Sequence, residues 1–241
     1  MKRILLIIFL CFIALQGFSQ ATMWGVYGGA GCATTNNYDV APSGGLELLF
    51  TGHRGGRIFI GTDIFYQNYS LYLDNEVNAA HHETGYTGWT ERLNASYAYV
   101  TPKFSYGFGR KGNELVKVYV TFGVGYNVSG VDSVRKWDYS NSVNGYYLNP
   151  VNTGQYDSIL DKSKNINKLM IRGSIGMTEY LPMGGNWLFT FTEDFGFTAK
   201  SLTQTGTPSD GSRTGYSSNG LKPGYISLQI GISHHRFRKN D

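Results

Sequence analysis

The sequence predicts an all-β chain: an eight-stranded antiparallel up-and-down transmembrane β-barrel. Three observations predict it. Apolar residues recur with a period of two along most of the chain. The opposite faces carry Gly, Ser and Thr where a water-washed surface would carry Lys and Glu. The connecting segments alternate between short and long. Composition agrees, because 16% of the 241 residues are charged, 15% are aromatic, and Tyr, Phe and Gly number 18, 14 and 32. Such aromatic content excludes a disordered chain and favours strands. No Ala/Leu/Glu/Lys-rich segment is long enough for several helices.

The first residues read as a targeting signal. Lys2 and Arg3 form a positive start, Ile4 to Leu15 an uncharged apolar run, and Gly17-Phe18-Ser19 a small-residue cut site before Gln20. The run is too short to span a bilayer. Bulky neighbours around Cys11 argue against a lipoprotein site. The expected organisation is a signal peptide over 1–19 and a barrel domain over 20–241. Cleavage removes two of the 21 basic residues, leaving 19 − 17 = +2. That balance gives no electrostatic case for nucleic acid. Cys32 remains alone, so no internal disulfide forms. No later apolar stretch reaches the length of a membrane helix.

Lys117 to Val128 is the clearest strand. Val118, Val120, Phe122, Val124, Tyr126 and Val128 share one face, and Lys117, Tyr119, Thr121, Gly123, Gly125 and Asn127 the other. Residues 225–233 repeat the pattern, with Ile226, Leu228, Ile230 and Ile232 opposite Ser227, Gln229, Gly231 and Ser233. Residues 168–180 follow it less cleanly. Five weaker strands are expected over 22–32, 44–51, 57–73, 95–109 and 187–199. Glu193 falls on the apolar face of the last, so a bulge there is expected to turn it away. Pro102 removes a ladder donor and is expected to kink or bulge its strand.

Gly52 to Gly56, Arg110 to Glu114 and Leu181 to Asn186 suit hairpin turns. The links 33–43, 74–94, 129–167 and 200–224 are long and polar. This rhythm is that of an outer-membrane barrel, with short turns in the periplasm and long loops outside. A soluble barrel would bury its apolar face and present charges to water; small residues instead suit the cramped interior of eight strands. On that interior face lie Glu47, Asp63 and Asp194 with Lys103, Lys117 and Arg172. Buried charges must pair, so the six are expected to form an ion-pair and hydrogen-bond network that plugs the barrel.

The chain resembles the outer-membrane β-barrel domain family of Bacteroidetes, the PorT-like group, itself similar to the OmpA and OmpX barrels. The segments that carry the resemblance are 22–32 (TMWGVYGGAGC), 57–69 (RIFIGTDIFYQNY), 97–109 (YAYVTPKFSYGFG), 117–127 (KVYVTFGVGYN) and 225–237 (YISLQIGISHHRF). They cover most of the chain after the signal. Such barrels commonly end on an aromatic, whereas here Phe237 is followed by Arg238, Lys239, Asn240 and Asp241. The resemblance implies an outer-membrane location and a part in a secretion assembly. It implies no catalytic residues.

No cofactor or metal site is expected. His81 and His82 stand near Glu83 and Glu91 in a polar link, short of the three or four converging ligands a metal needs. His234 and His235 are strand neighbours, so their rings point to opposite faces, at the periplasmic interface. The Gly28-Gly29-x-Gly31 and Gly123-x-Gly125 runs lie in strands and open no helix, unlike phosphate loops. An enzyme barrel needs a nucleophile beside a positioned base, and no His-x-Ser stands at a lipid-facing strand end. Tyr86 and Trp89 in one long link, and Trp137, Tyr139, Tyr146, Tyr147 and Tyr156 in another, are the candidates for surface recognition; equally, they suit an interface girdle. The expected role is therefore non-enzymatic: envelope structure, surface recognition or help to a secretion assembly. The expected partners are outer-membrane lipid, lipopolysaccharide and an envelope protein, around a monomeric barrel. A narrow pore and a lipid-modifying enzyme are the alternatives.

Overall fold

A computed structural model describes residues 21–33, 40–51, 57–75, 86–110, 113–139, 156–161, 164, 166–200, 202 and 224–237. The expected signal peptide, Cys11 and the cut before Gln20 lie outside these residues. So do His81, His82, Glu83, Tyr146 and Tyr147.

The described strands are β1 (Ala21–Ala33), β2 (Ala41–Thr51), β3 (Ile58–Asn75), β4 (Tyr86–Arg110), β5 (Asn113–Tyr139), β6 (Tyr156–Asp161), β7 (Leu169–Gly184), β8 (Trp187–Thr198) and β9 (Gly224–Phe237). Every pairing is antiparallel. Strands β1 to β5 pair in succession, β5 pairs with β7, β7 with β8, β8 with β9, and β9 returns to β1. That ring is a closed eight-stranded antiparallel barrel. Closure leaves no sheet edge within the ring, so backbone N–H and C=O groups are satisfied between neighbours. The β7–β8 turn is tight because Gly184 and Gly185 take φ of 118° and 59°, a region glycine enters at little cost.

Strand β6 stands outside the ring. It pairs only with the far end of β5, over Ser133 to Trp137. This corrects the reading of 74–94 and 129–167 as long loops. β3 and β4 run on to Asn75 and from Tyr86, and β5 runs to Tyr139. Tyr86, Trp89, Trp137, Tyr139 and Tyr156 therefore stand on paired strands, with Tyr86 opposite Tyr139 and Trp137 opposite Tyr156.

One local expectation fails, and a second is met only in part. No bulge occurs at Glu193: β8 holds unbroken register with β9, and Glu193 sits opposite Leu228 and Met177. Its half-buried side chain therefore stays on the outer face, with Phe191 and Phe195 on either side along the strand. At Pro102 the lost ladder donor leaves a gap in the pairing but no register shift. Val100 pairs Val124 and Lys103 pairs Thr121 on the same count, and only the rungs at Thr101 and Pro102 are missing from the β4–β5 ladder. The register shifts lie instead at Ser96/Tyr97 and Phe108/Gly109. The first inserts Val128 as an extra residue, so beyond it β5 inverts its facing and Asp132 becomes buried.

Side chains alternate across the barrel wall. Ile64, Val100, Phe122, Ile175 and Ile230 are each more than half exposed, whereas Asp63, Thr101, Arg172, Ser174 and Gln229 are buried. The interior is the core, and the exterior is an apolar band.

Candidate lumen network

The barrel interior has three tiers. Toward the short turns, Met23, Leu49, Phe59 and Tyr180 pack with Leu188. Toward the long links, Phe65, Tyr69, Leu93, Ala95, Tyr97, Tyr99, Ile166, Met170, Leu202 and Tyr225 form a larger plug. That plug is tied at the mouth, where Tyr97 donates to the Asn167 carbonyl at 2.8 Å and the Asn167 N–H donates to the Leu202 carbonyl at 2.8 Å. Between the two apolar tiers lies a polar one.

Each of the six charged candidates comes from a different strand: Glu47 from β2, Asp63 from β3, Lys103 from β4, Lys117 from β5, Arg172 from β7 and Asp194 from β8. All are buried. Glu47 and Asp63 face each other across the β2–β3 ladder. Like charges in that position repel, and two neighbours answer them. Lys103 Nζ bonds Glu47 Oε2, and the Tyr27 hydroxyl donates to Asp63 Oδ1. Across the lumen, Arg172 bonds Asp194 Oδ2. Tyr119 and Tyr225 each donate to Asp194 at 2.9 Å, one to each oxygen.

Aromatic rings back the cations. Lys103 Nζ lies 3.8 Å from the Tyr119 ring centre. The Arg172 guanidinium lies 4.1 Å from Phe65 and 4.7 Å from Tyr225. Cations over ring faces in a desolvated site gain from the ring quadrupole. Hydroxyls fill the remaining space: Thr121 and Ser174 bond at 2.7 Å, and Thr192 donates to Thr178 at 3.0 Å. The void left among these side chains is about 10 Å³, near the lower limit for one water.

Lys117 stands apart. The polar void is lined by three carboxylates and two cations, Lys103 and Arg172. Lys117 lies in the tier below, 3.7 Å from the Phe59 ring centre, 4.6 Å from Tyr180, and 2.9 Å from Met23 Sδ. The six residues thus divide between two tiers. The tyrosines that complete the network, Tyr27, Tyr119 and Tyr225, are not among the six candidates. Their signal is present in the sequence, since each shares its strand parity with Gly, Ser or Thr.

The described residues contain no group of three His, Cys, Asp or Glu side chains able to hold a metal. His234 and His235 point to opposite faces, His234 outward among Trp24 and Trp187.

No family model matches the chain, and no curated protein matches it. Among solved structures, the chain is similar to Neisserial surface protein A at 10% identity and a TM-score of 0.41, over 90% of this chain and 97% of that one. It is similar to a major outer membrane protein from Thermus thermophilus at 12% identity and a TM-score of 0.40, over 89% and 99%. It is also similar to Ail, the attachment invasion locus protein of Yersinia pestis, determined with sucrose octasulfate, at 10% identity and a TM-score of 0.36, over 90% and 97%.

Proposed function

We propose that the chain is a non-enzymatic outer-membrane barrel with a sealed lumen, serving envelope structure, surface recognition or a secretion assembly. One observation carries this reading: the wall is inside out. Phe122 and Ile175 are 61% and 64% exposed on the outer face, while Arg172 and Asp194 are each 2% exposed within. Water would penalise that apolar exterior, and hydrocarbon would not. The expected signal peptide supplies export, and the PorT-like sequence resemblance favours the secretion-assembly role. The filled polar tier speaks against a steady pore. The extended sheet of β3 to β6 offers the surface for an envelope partner.

Fractionation tests the placement. The chain is expected in outer membranes after a carbonate wash, with electrophoretic mobility that changes on boiling. Recovery as a detergent-free soluble protein would overturn it. Pull-down of the tagged chain from outer membranes, beside the surface properties of a deletion strain, tests the role. The expected result is co-purification with an envelope protein; absence of any partner together with an unaltered surface would overturn it.

A further inference from the structure

We infer that the periplasmic end of the β8–β9–β1 wall binds the phosphodiester headgroup of an inner-leaflet phospholipid. The inference rests on the membrane placement above. Trp187, His234 and Trp24 occupy one row across three adjacent strands, since His234 pairs with both in the two ladders. All three face outward. The His234 ring stacks on Trp24 at 5.7 Å and 28°, and meets Trp187 edge-on at 4.8 Å and 70°. The two indoles meet at 5.4 Å and 83°. The imidazole is thereby held in one orientation by two rings of the kind that settle at headgroup depth.

His234 Nδ1 is buried in this cluster with no hydrogen-bond partner. Nε2 is therefore the ring nitrogen left to meet a ligand. The exposed neighbours on that row and the next, Trp24, Trp187 and Ile232, are all apolar or aromatic. Two residues along the same face stands exposed Arg236, about 7 Å further down the strand. No described carboxylate forms an ion pair with it. An imidazole, a guanidinium and two indole edges at one rim match a singly charged phosphodiester above a glycerol backbone. The acyl chains would then lie along Ile232, Ile230 and Leu228, the apolar row that continues up β9.

The test uses the full folded chain in micelles doped with phosphatidylglycerol, read by native mass spectrometry. The wild type is expected to keep one phosphatidylglycerol. Arg236→Gln and His234→Phe are each expected to lower that retained fraction roughly tenfold. His234→Phe keeps the ring stack, so a fold defect is not the cause of its loss. Arg57→Gln serves as the control. Arg57 is an exposed cation at the same end of the barrel, on the β3–β4 side, where it donates to Tyr106 at 3.5 Å. Its removal is expected to change nothing. Equal retention in all variants, equal loss in Arg57→Gln, or displacement of the lipid by inorganic phosphate would overturn the inference. A chain that inserts into micelles yet keeps no lipid defeats this site alone. A chain that never enters micelles defeats the membrane placement itself.

Discussion

Glu47 and Asp63 stand directly opposite each other on β2 and β3, two carboxylates inside a closed barrel. Lys103 reaches Glu47 from β4, and Tyr27 reaches Asp63 from β1. The pair is tolerable only because both neighbours on the flanking strands supply protons. This makes the polar tier a device for strand register: a slip of one residue in β2 would turn Glu47 to the outer face.

Lys103→Met should therefore cost about 3–5 kcal/mol, the usual penalty for leaving a buried charge without its partner. Urea unfolding in micelles measures it. Adding Glu47→Gln to that variant should restore most of the loss. A single variant as stable as the wild type would contradict the network.

Glycine positions give a second, purely steric prediction. A Cβ on Gly196 would lie 2.1 Å from the Tyr225 ring, which that glycine lets reach Asp194. Gly196→Val should displace Tyr225 and cost about 1–3 kcal/mol as overpacking does. Gly28 is the contrast, because its nearest obstacle is 4.0 Å from a built Cβ. Gly28→Ala should stay within roughly 0.5 kcal/mol of the wild type. Thermal melts of the two variants side by side decide it.

Conductance reports on the plug. Arg172, Phe65, Tyr99 and Tyr225 close the lumen together. The wild type should be silent in planar bilayers. Arg172→Ala with Tyr99→Ala removes two of the largest buried side chains and should produce small discrete openings. Large, steady openings in the wild type would refute a sealed lumen.

Much of this is legible in the sequence, for a physical reason. An apolar outer wall and a cramped, polar lumen impose opposite chemistries on alternate residues, so Val118 and Thr121 reveal their faces without any partner. The eight strands of the ring, though not their full lengths, and the inward set from Glu47 to Asp194 follow from that alternation. Pairings between strands do not, because parity says nothing about reach. Lys117 has the same parity as Arg172, yet its height places it among Phe59, Tyr180 and Met23. Glu193 shows the opposite limit. Parity puts it on the apolar face, and the expected bulge would have removed a cost that the barrel in fact retains. The extension of β3 to β6 is invisible in the sequence because those segments carry no apolar stripe.

A charge on the outer wall separates lipid from water. Ile175→Lys should cost about 2–4 kcal/mol if that face lies near the bilayer midplane. On a water-facing surface the same change would stay within roughly 0.5 kcal/mol. Refolding into vesicles, compared across both chains, gives the difference.

The most direct measurement places a nitroxide on the wall and asks what collides with it. Ile175→Cys and Ile230→Cys would be labelled in a Cys32→Ser chain, since Cys32 is itself exposed, and refolded into vesicles. Oxygen, which concentrates in hydrocarbon, should relax both labels more strongly than a water-soluble nickel chelate does. Stronger relaxation by the nickel chelate at both positions would mean that the apolar wall meets water, and the inside-out barrel would be wrong.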